Sequence, residues 1–268
     1  MFSAISDFLI NSDPLSLGMI SVLIVIGFMV GFVNTLAGMA TAISYALFMA
    51  MGMPINVANG TARVGVLAQF AVSSLIFKKS GHLDYKLGAK VGIPVAIGSI
   101  FGAEFAAILN PKVMEIAMGI MLPIMAALLL YNQSAGSKLI RVANRGWDAK
   151  VGFFKFMAFV FIGVYGGFTH AGVGILIIFG SFYMLGLDII KSNGIKQFAV
   201  FIYTPLALTI FILHGQVNWP VALIYAIGNI AGAIVASKVA VKWGAKFINY
   251  SIAVVVCLMS FWLIYKQF

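Results

Sequence analysis

Arg63 and Lys196 are cations set in long apolar runs, where an ionisable side chain is expensive and marks a functional candidate by default. Arginine presents a planar fork suited to an oxyanion, and lysine a compact point charge. Asn34, Thr35, Asn59, Thr61, Thr169, Asn193 and Gln197 add neutral donors and acceptors in the same stretches, and His170 adds an imidazole that can titrate near neutral pH. The chemistry open to such a set is the binding of a small anion. His170 and Glu104, the one acid well inside an apolar run, are the candidates to carry a coupled proton.

Each residue also has a plainer reading. Arg63 could snorkel to an interface or pair with Glu104, and Lys196, six residues into its segment, could snorkel too. Lys191 is nearer a segment end and reads as an interface anchor. The neutral residues could hydrogen-bond between helices, and His170 could bond a backbone carbonyl. Glu104 could sit near a membrane surface or pair with a basic residue. Three histidines with no second acid nearby make no metal site, and no cofactor ligand set or nucleophile–base pair is present, so a membrane-embedded enzyme is not expected.

The elements that would position these residues follow from composition. Of 268 residues, 62% are hydrophobic and 9% charged; soluble domains carry about 25% charged residues. The chain reads as one integral membrane domain, residues 1–268, in a lipid bilayer. Met1 to Pro14 has Asp7 and Asp13 but no Lys or Arg, which is not a signal-peptide pattern. The net charge of +10 lies mostly in loops between apolar segments, where membrane orientation explains it and nucleic-acid binding does not. Cys257 is the only cysteine and lies in an apolar run, an inert thiol by default.

Ten apolar segments run over approximately 16–36, 38–53, 56–77, 88–108, 112–131, 152–169, 171–187, 190–213, 219–240 and 246–266. A full helical span needs about 20 residues. The second and seventh are shorter and begin in Gly/Ala-rich stretches, so broken or short helices are expected at 34–53 and 166–187. The chain also repeats itself. Gly52 to Thr61 reappears as Gly186 to Ile195, 134 residues on, and the same offset pairs Gly81 with Gly215, Ile93 with Ile227 and Gly98 with Gly232. Further upstream the offset is 132, pairing Gly31 with Gly163.

If all ten segments cross and the N-terminus is outside, Lys78, Lys79, Lys86 and Lys90 fall inside. So do the linker 132–150, with Lys138, Arg141, Arg145 and Lys150, and the 238–246 loop, while His214 to Asn218, without Lys or Arg, falls outside. This obeys the positive-inside rule. Five crossings per repeat make the second repeat upside down relative to the first. The expected fold is an all-α polytopic membrane protein of two inverted repeats, 16–131 and 152–266, joined by a cytoplasmic linker.

Each repeat opens on a small-residue stretch, Gly31-Phe32-Val33-Asn34-Thr35-Leu36-Ala37-Gly38-Met39-Ala40-Thr41-Ala42 and Gly163-Val164-Tyr165-Gly166-Gly167-Phe168-Thr169-His170-Ala171-Gly172-Val173-Gly174. Such stretches either pack helices closely or break them, exposing amides that can hold an anion at a positive helix end. Ala58-Asn59-Gly60-Thr61-Ala62 follows the first. Gly81-His82-Leu83-Asp84-Tyr85 and Gly215-Gln216-Val217-Asn218-Trp219 lead into helices with spaced glycines, Gly88, Gly92, Gly98 and Gly102, then Gly228 and Gly232. In this order, twice over, the motifs resemble those of the TauE/SafE family of sulfite and organosulfonate exporters, also called the toluene sulfonate uptake permease family. The resemblance covers residues 16 to 266. The chain departs from the family pattern at Ala40-Thr41-Ala42, in place of a glycine triplet, and at His170 and Val173, which interrupt the second glycine run.

The resemblance implies a secondary transporter in a bacterial-type inner membrane, moving sulfite, an organosulfonate or a related oxyanion by alternating access and driven by a proton or ion gradient. The competing reading is a cation or drug exporter with a ten-segment inverted fold. That function needs an intramembrane acid, for which Glu104 is the sole good candidate, and the two buried cations count against it. A channel would need a continuous polar pore-lining face. The glycine-spaced helices could form a homodimer or pack inside one chain.

Overall fold

A computed structural model describes residues 13–120 and 149–265, with side chains placed through Gly244. The linker cations Lys138, Arg141 and Arg145, the second half of the 112–131 segment and the side chain of Cys257 lie outside the described residues. The described chain is all helix. Helix α1 spans Leu17–Leu36, α2 Thr41–Ala50, α3 Ile55–Lys79 and α4 Tyr85–Ile108. Residues 111–120 are helical, and after the linker α5 spans Phe153–Phe168. Helix α6 spans Val173–Phe179 and continues as one π turn, Gly180–Met184; α7 is Ile189–Leu213 and α8 is Trp219–Tyr265, broken at Gly244.

Local chemistry sets these boundaries. Asp84 and Asp188 cap the N-termini of α4 and α7, accepting from the backbone N–H of Leu87 and Lys191 at 2.7 and 2.8 Å. Ser16 caps α1 and Asn218 caps α8 in the same way. Helices α1, α3, α4, α7 and the first arm of α8 are each long and apolar enough to cross a membrane. Together with the shorter apolar helices they make this a polytopic membrane protein. At 10 residues α2 is about 15 Å long, half the hydrocarbon thickness of a bilayer.

Glycines let neighbouring helices touch backbone to backbone. A Cβ on Gly31 of α1 would lie 2.3 Å from the Asn229 oxygen of α8, and one on Gly163 of α5 would lie 2.1 Å from the Val95 oxygen of α4. Gly27 meets Tyr225 as Gly31 meets Asn229, so α1 and α8 run parallel. Gly98 and Gly102 meet Val160 and Val164, so α4 and α5 do the same. Helices α3 and α7 run antiparallel. Gly60 near the start of α3 abuts Gln216 just past α7, and Gly194 near the start of α7 abuts His82 just past α3.

These contacts place the starts of α1 and α3, the end of α4 and the 214–218 turn at one end of the molecule. The α3–α4 turn and the starts of α5 and α7 lie at the other. Helices α1 and α2 form a hairpin that turns inside the protein and returns to the end it came from, and α5 and α6 do the same from the opposite end. The described loops therefore group as the ten-crossing count groups them, because a hairpin and a pair of full crossings both return the chain to its starting side.

Candidate functional site

The two hairpins turn at Gly38 and Gly172, which hold left-handed backbone (φ 78° and 86°) that a side chain would strain. The turns meet: a Cβ on Gly38 would lie 2.7 Å from the Gly174 Cα. Here α1 and α5 end with their C-terminal carbonyls inside the protein, where those groups need partners and carry partial negative charge. Each is capped by a cation from the opposite half of the chain. Arg63 on α3 donates through Nη2 to the backbone oxygens of Gly166 and Gly167 at 3.2 and 2.5 Å. Lys196 on α7 donates through Nζ to the oxygens of Asn34 and Thr35 at 3.1 and 2.7 Å. The pairs Asn34/Gly166 and Thr35/Gly167 are each 132 positions apart.

The polar neighbours echo each other as well. The Arg63 Nε donates to Asn59 Oδ1 at 3.2 Å, four residues back; the Gln197 Nε2 donates to Asn193 Oδ1 at 3.0 Å, also four residues back. Asn59 Nδ2 donates to the Phe168 oxygen, and Gln197 Nε2 to the Thr35 oxygen. Aromatic faces complete both cation sites, Phe211 at 4.9 Å from the Arg63 guanidinium and Phe70 at 5.7 Å from Lys196 Nζ.

His170 lies between the two cation sites. Its ring meets Phe70 edge-on at 5.9 Å, its Nδ1 is hydrogen-bonded to Tyr203 Oη, and its backbone N–H donates to Tyr45 Oη at 3.2 Å. Tyr45 in turn donates to Asn59 Oδ1 at 3.0 Å, so the Arg63 cluster and the histidine share one network. Asn34 Nδ2 reaches Thr41 Oγ1 at 3.3 Å, tying the two arms of the first hairpin. The Thr169 hydroxyl accepts from the Ala171 N–H at 3.4 Å within the second break.

Asn34, Thr35, Asn59, Arg63, Thr169, His170, Asn193, Lys196 and Gln197 are thus all buried around the two breaks. Two expected residues are elsewhere. Thr61 is buried but accepts from the Asn218 N–H at 2.9 Å, fastening α3 to the 214–218 turn. Glu104 is exposed near the end of α4, where it meets His214 at 3.2 Å. Tyr45, Tyr203, Phe70, Gln69 and Ser73 were not singled out by sequence and belong to the same networks. Gln69 donates to Thr35 Oγ1 and Ser73 to Gln197 Oε1. Asn59, Arg63, Val66, Phe70 and Ser73 recur at steps of four, three, four and three, one stripe of a helix, and that spacing was the available signal.

Charge is not balanced here. Arg63 and Lys196 are fully buried. Among the described acids, Asp13, Asp84, Glu104, Glu115 and Asp188, none is buried. The groups that face Arg63 and Lys196 are backbone carbonyls and ring faces, not carboxylates. Arg63 Nη1 is buried and has no hydrogen-bond partner among the described residues, which is costly unless something else occupies that position.

Broken helices that meet inside an all-helical polytopic fold are a feature of membrane transporters. The sequence matches the family described as sulfite exporter TauE/SafE over residues 23–263, and the chain belongs to that family. Similar proteins include a probable membrane transporter protein, ORF9, of Sinorhizobium sp., 26% identical and covering 91% of each chain. A probable membrane transporter protein of Haemophilus influenzae is 21% identical, covering 94% of this chain and 97% of its own. YdhB of Bacillus subtilis, also described as a probable membrane transporter protein, is 27% identical over 86% of this chain and 89% of its own. No solved structure matches the chain.

Proposed function

We propose that this protein is a secondary transporter of a small sulfur-containing oxyanion, sulfite or an organosulfonate among them. The observation that carries the reading is the pair of buried basic residues with no carboxylate beside them among the described residues, above all Arg63, whose Nη1 has no partner there. A buried positive charge without a counter-ion is unstable, and an anion seated at Arg63 would supply the missing acceptor. A cationic substrate would add to the imbalance, and Glu104, the acid that reading requires, is at the surface.

The proposed mechanism is alternating access by two repeats, 16–131 and 152–266, related by a two-fold axis in the membrane plane. The paired offsets, the exchanged packing of α1 on α8 and α5 on α4, and the equivalent capping of both hairpins support it. In this reading the lysine-rich end, with Lys78, Lys79 and Lys86, faces the cytoplasm of a bacterial-type inner membrane, and His170 carries a coupled proton. Counterflow in proteoliposomes tests it. Vesicles preloaded with unlabelled sulfite or an organosulfonate should accumulate the labelled anion transiently, and Arg63→Ala vesicles should not. No counterflow with any sulfur oxyanion would sink the substrate class; non-saturating flux would indicate a channel.

A further inference from the structure

The two hairpins differ by an insertion. Related positions are 132 apart through Thr35 and Gly167, but 134 apart from Gly38 and Gly172 onward. Ala37 alone separates Leu36 from Gly38, whereas Thr169, His170 and Ala171 separate Phe168 from Gly172. His170 therefore belongs to a segment two residues longer than its counterpart, and that extra length places an imidazole between the Arg63 and Lys196 sites.

His170 is held at three points, two on the ring and one on the backbone. Phe70 lies against its edge, Tyr45 holds its backbone N–H, and Tyr203 Oη meets its Nδ1. Among the described residues the Tyr203 hydroxyl has no other hydrogen-bond partner, and His170 Nε2 has none. A phenol hydroxyl donates more readily than it accepts from an imidazole N–H, so the Tyr203 proton points at Nδ1. Nδ1 is then the acceptor, and in a neutral imidazole the ring proton must sit on Nε2. Either tautomer leaves one donor without a partner among the described residues, Nε2–H here and the Tyr203 O–H in the reverse; this one pairs the phenol, the stronger donor, with the imine nitrogen, the stronger acceptor.

We propose that Tyr203 is a positioning residue that fixes His170 as the Nε2–H tautomer, so that the inserted histidine offers a neutral donor to an oxyanion held at Arg63. The last clause rests on the anion reading above; the tautomer does not. Tyr203 never touches the anion in this scheme. Its role is to decide which ring nitrogen carries the proton, a preference that the first hairpin, with one residue in the corresponding gap, has no means to reproduce.

The test is nitrogen-15 spectroscopy of the full-length protein in detergent, labelled at histidine, with His170 assigned by loss of its signals in His170→Asn. The wild type should show an unprotonated Nδ1 and a protonated Nε2. Tyr203→Phe, which keeps the ring and removes the hydroxyl, should show a mixture of tautomers and bind sulfite about tenfold more weakly, the scale of one hydrogen bond to a charged group. Added sulfite should move the Nε2 resonance of the wild type. An Nδ1–H tautomer in the wild type would overturn the proposal, and that result needs no variant to fold. An unchanged tautomer or unchanged sulfite affinity in Tyr203→Phe would overturn the positioning role. A fixed Nε2–H tautomer whose resonance no anion in the sulfite, thiosulfate, sulfate and sulfoacetate panel moves would refute the donor role and the anion reading, leaving the tautomer assignment standing.

Discussion

The hairpin α1–α2, capped by Lys196, and the hairpin α5–α6, capped by Arg63, solve one problem with different residues. Both end a helix inside the protein and cover its last carbonyls with a cation from the other half of the chain. The first hairpin carries its own polar side chains at the break, Asn34 and Thr35, and continues into a regular 10-residue helix. The second has Gly166 and Gly167 at those positions, takes its polar groups from the longer Thr169–His170 segment, and continues into a 7-residue helix that loosens into a π turn. The two hairpins pack alike and differ in the chemistry at their breaks.

That contrast can be disrupted most forcefully at Arg63. The Gly166 and Gly167 carbonyls have Arg63 as their side-chain donor, and Arg63→Ala leaves both without it. We expect a loss of about 3 kcal/mol, at 1–3 kcal/mol for each stranded group, with anion binding abolished; denaturation in detergent with and without sulfite measures both. Lys196→Ala should cost less, about 2 kcal/mol, because Gln197 still donates to the Thr35 oxygen and only Asn34 loses its donor. Equal losses would show that the neutral amide contributes nothing to the first cap.

Gly38→Ala probes the place where the hairpins meet. It forces a side chain into left-handed backbone and against the Gly174 Cα, and should cost about 2 kcal/mol, read as a lower melting temperature. The smallest effect belongs to Glu104→Gln. Glu104 is half exposed, and its contact with His214 is a surface pair, so stability should change by less than about 1 kcal/mol and sulfite binding should be unaltered. A loss of proton-driven uptake in Glu104→Gln would instead make that residue the proton carrier and relieve His170 of the role.

Much of the frame is legible in the amino-acid sequence. Apolar runs and glycine spacing locate the helices within a few residues, since burial in lipid demands both. Arg63, Lys196 and the asparagines stand out because polar groups are rare in such runs. Three things are not legible there. The cations can be found but not their partners, because a backbone carbonyl has no signature in sequence. Tyr45 and Tyr203 read as ordinary apolar-run aromatics until the fold sets their hydroxyls beside Asn59 and His170. Glu104 lies one turn from the end of its apolar segment, and the outward direction of its side chain, which puts it beside His214, is what the sequence does not report. Depth along a helix and direction around it are separate facts, and hydropathy reports only the first.

The role of the buried positive pair is best checked by ligand-dependent thermal stability of the purified full-length protein, with sulfite, thiosulfate, sulfate, sulfoacetate, taurine, chloride and a cationic compound compared at matched ionic strength. A ligand that binds only the folded state adds about 2.7 kcal/mol at one hundred times its dissociation constant, a readily measured shift. We expect a saturable rise in melting temperature with one or more sulfur oxyanions, absent in Arg63→Ala, and none with the cation. Stabilisation by the cationic compound, or by no anion at all, would contradict the claim that the buried positive pair is there to receive negative charge.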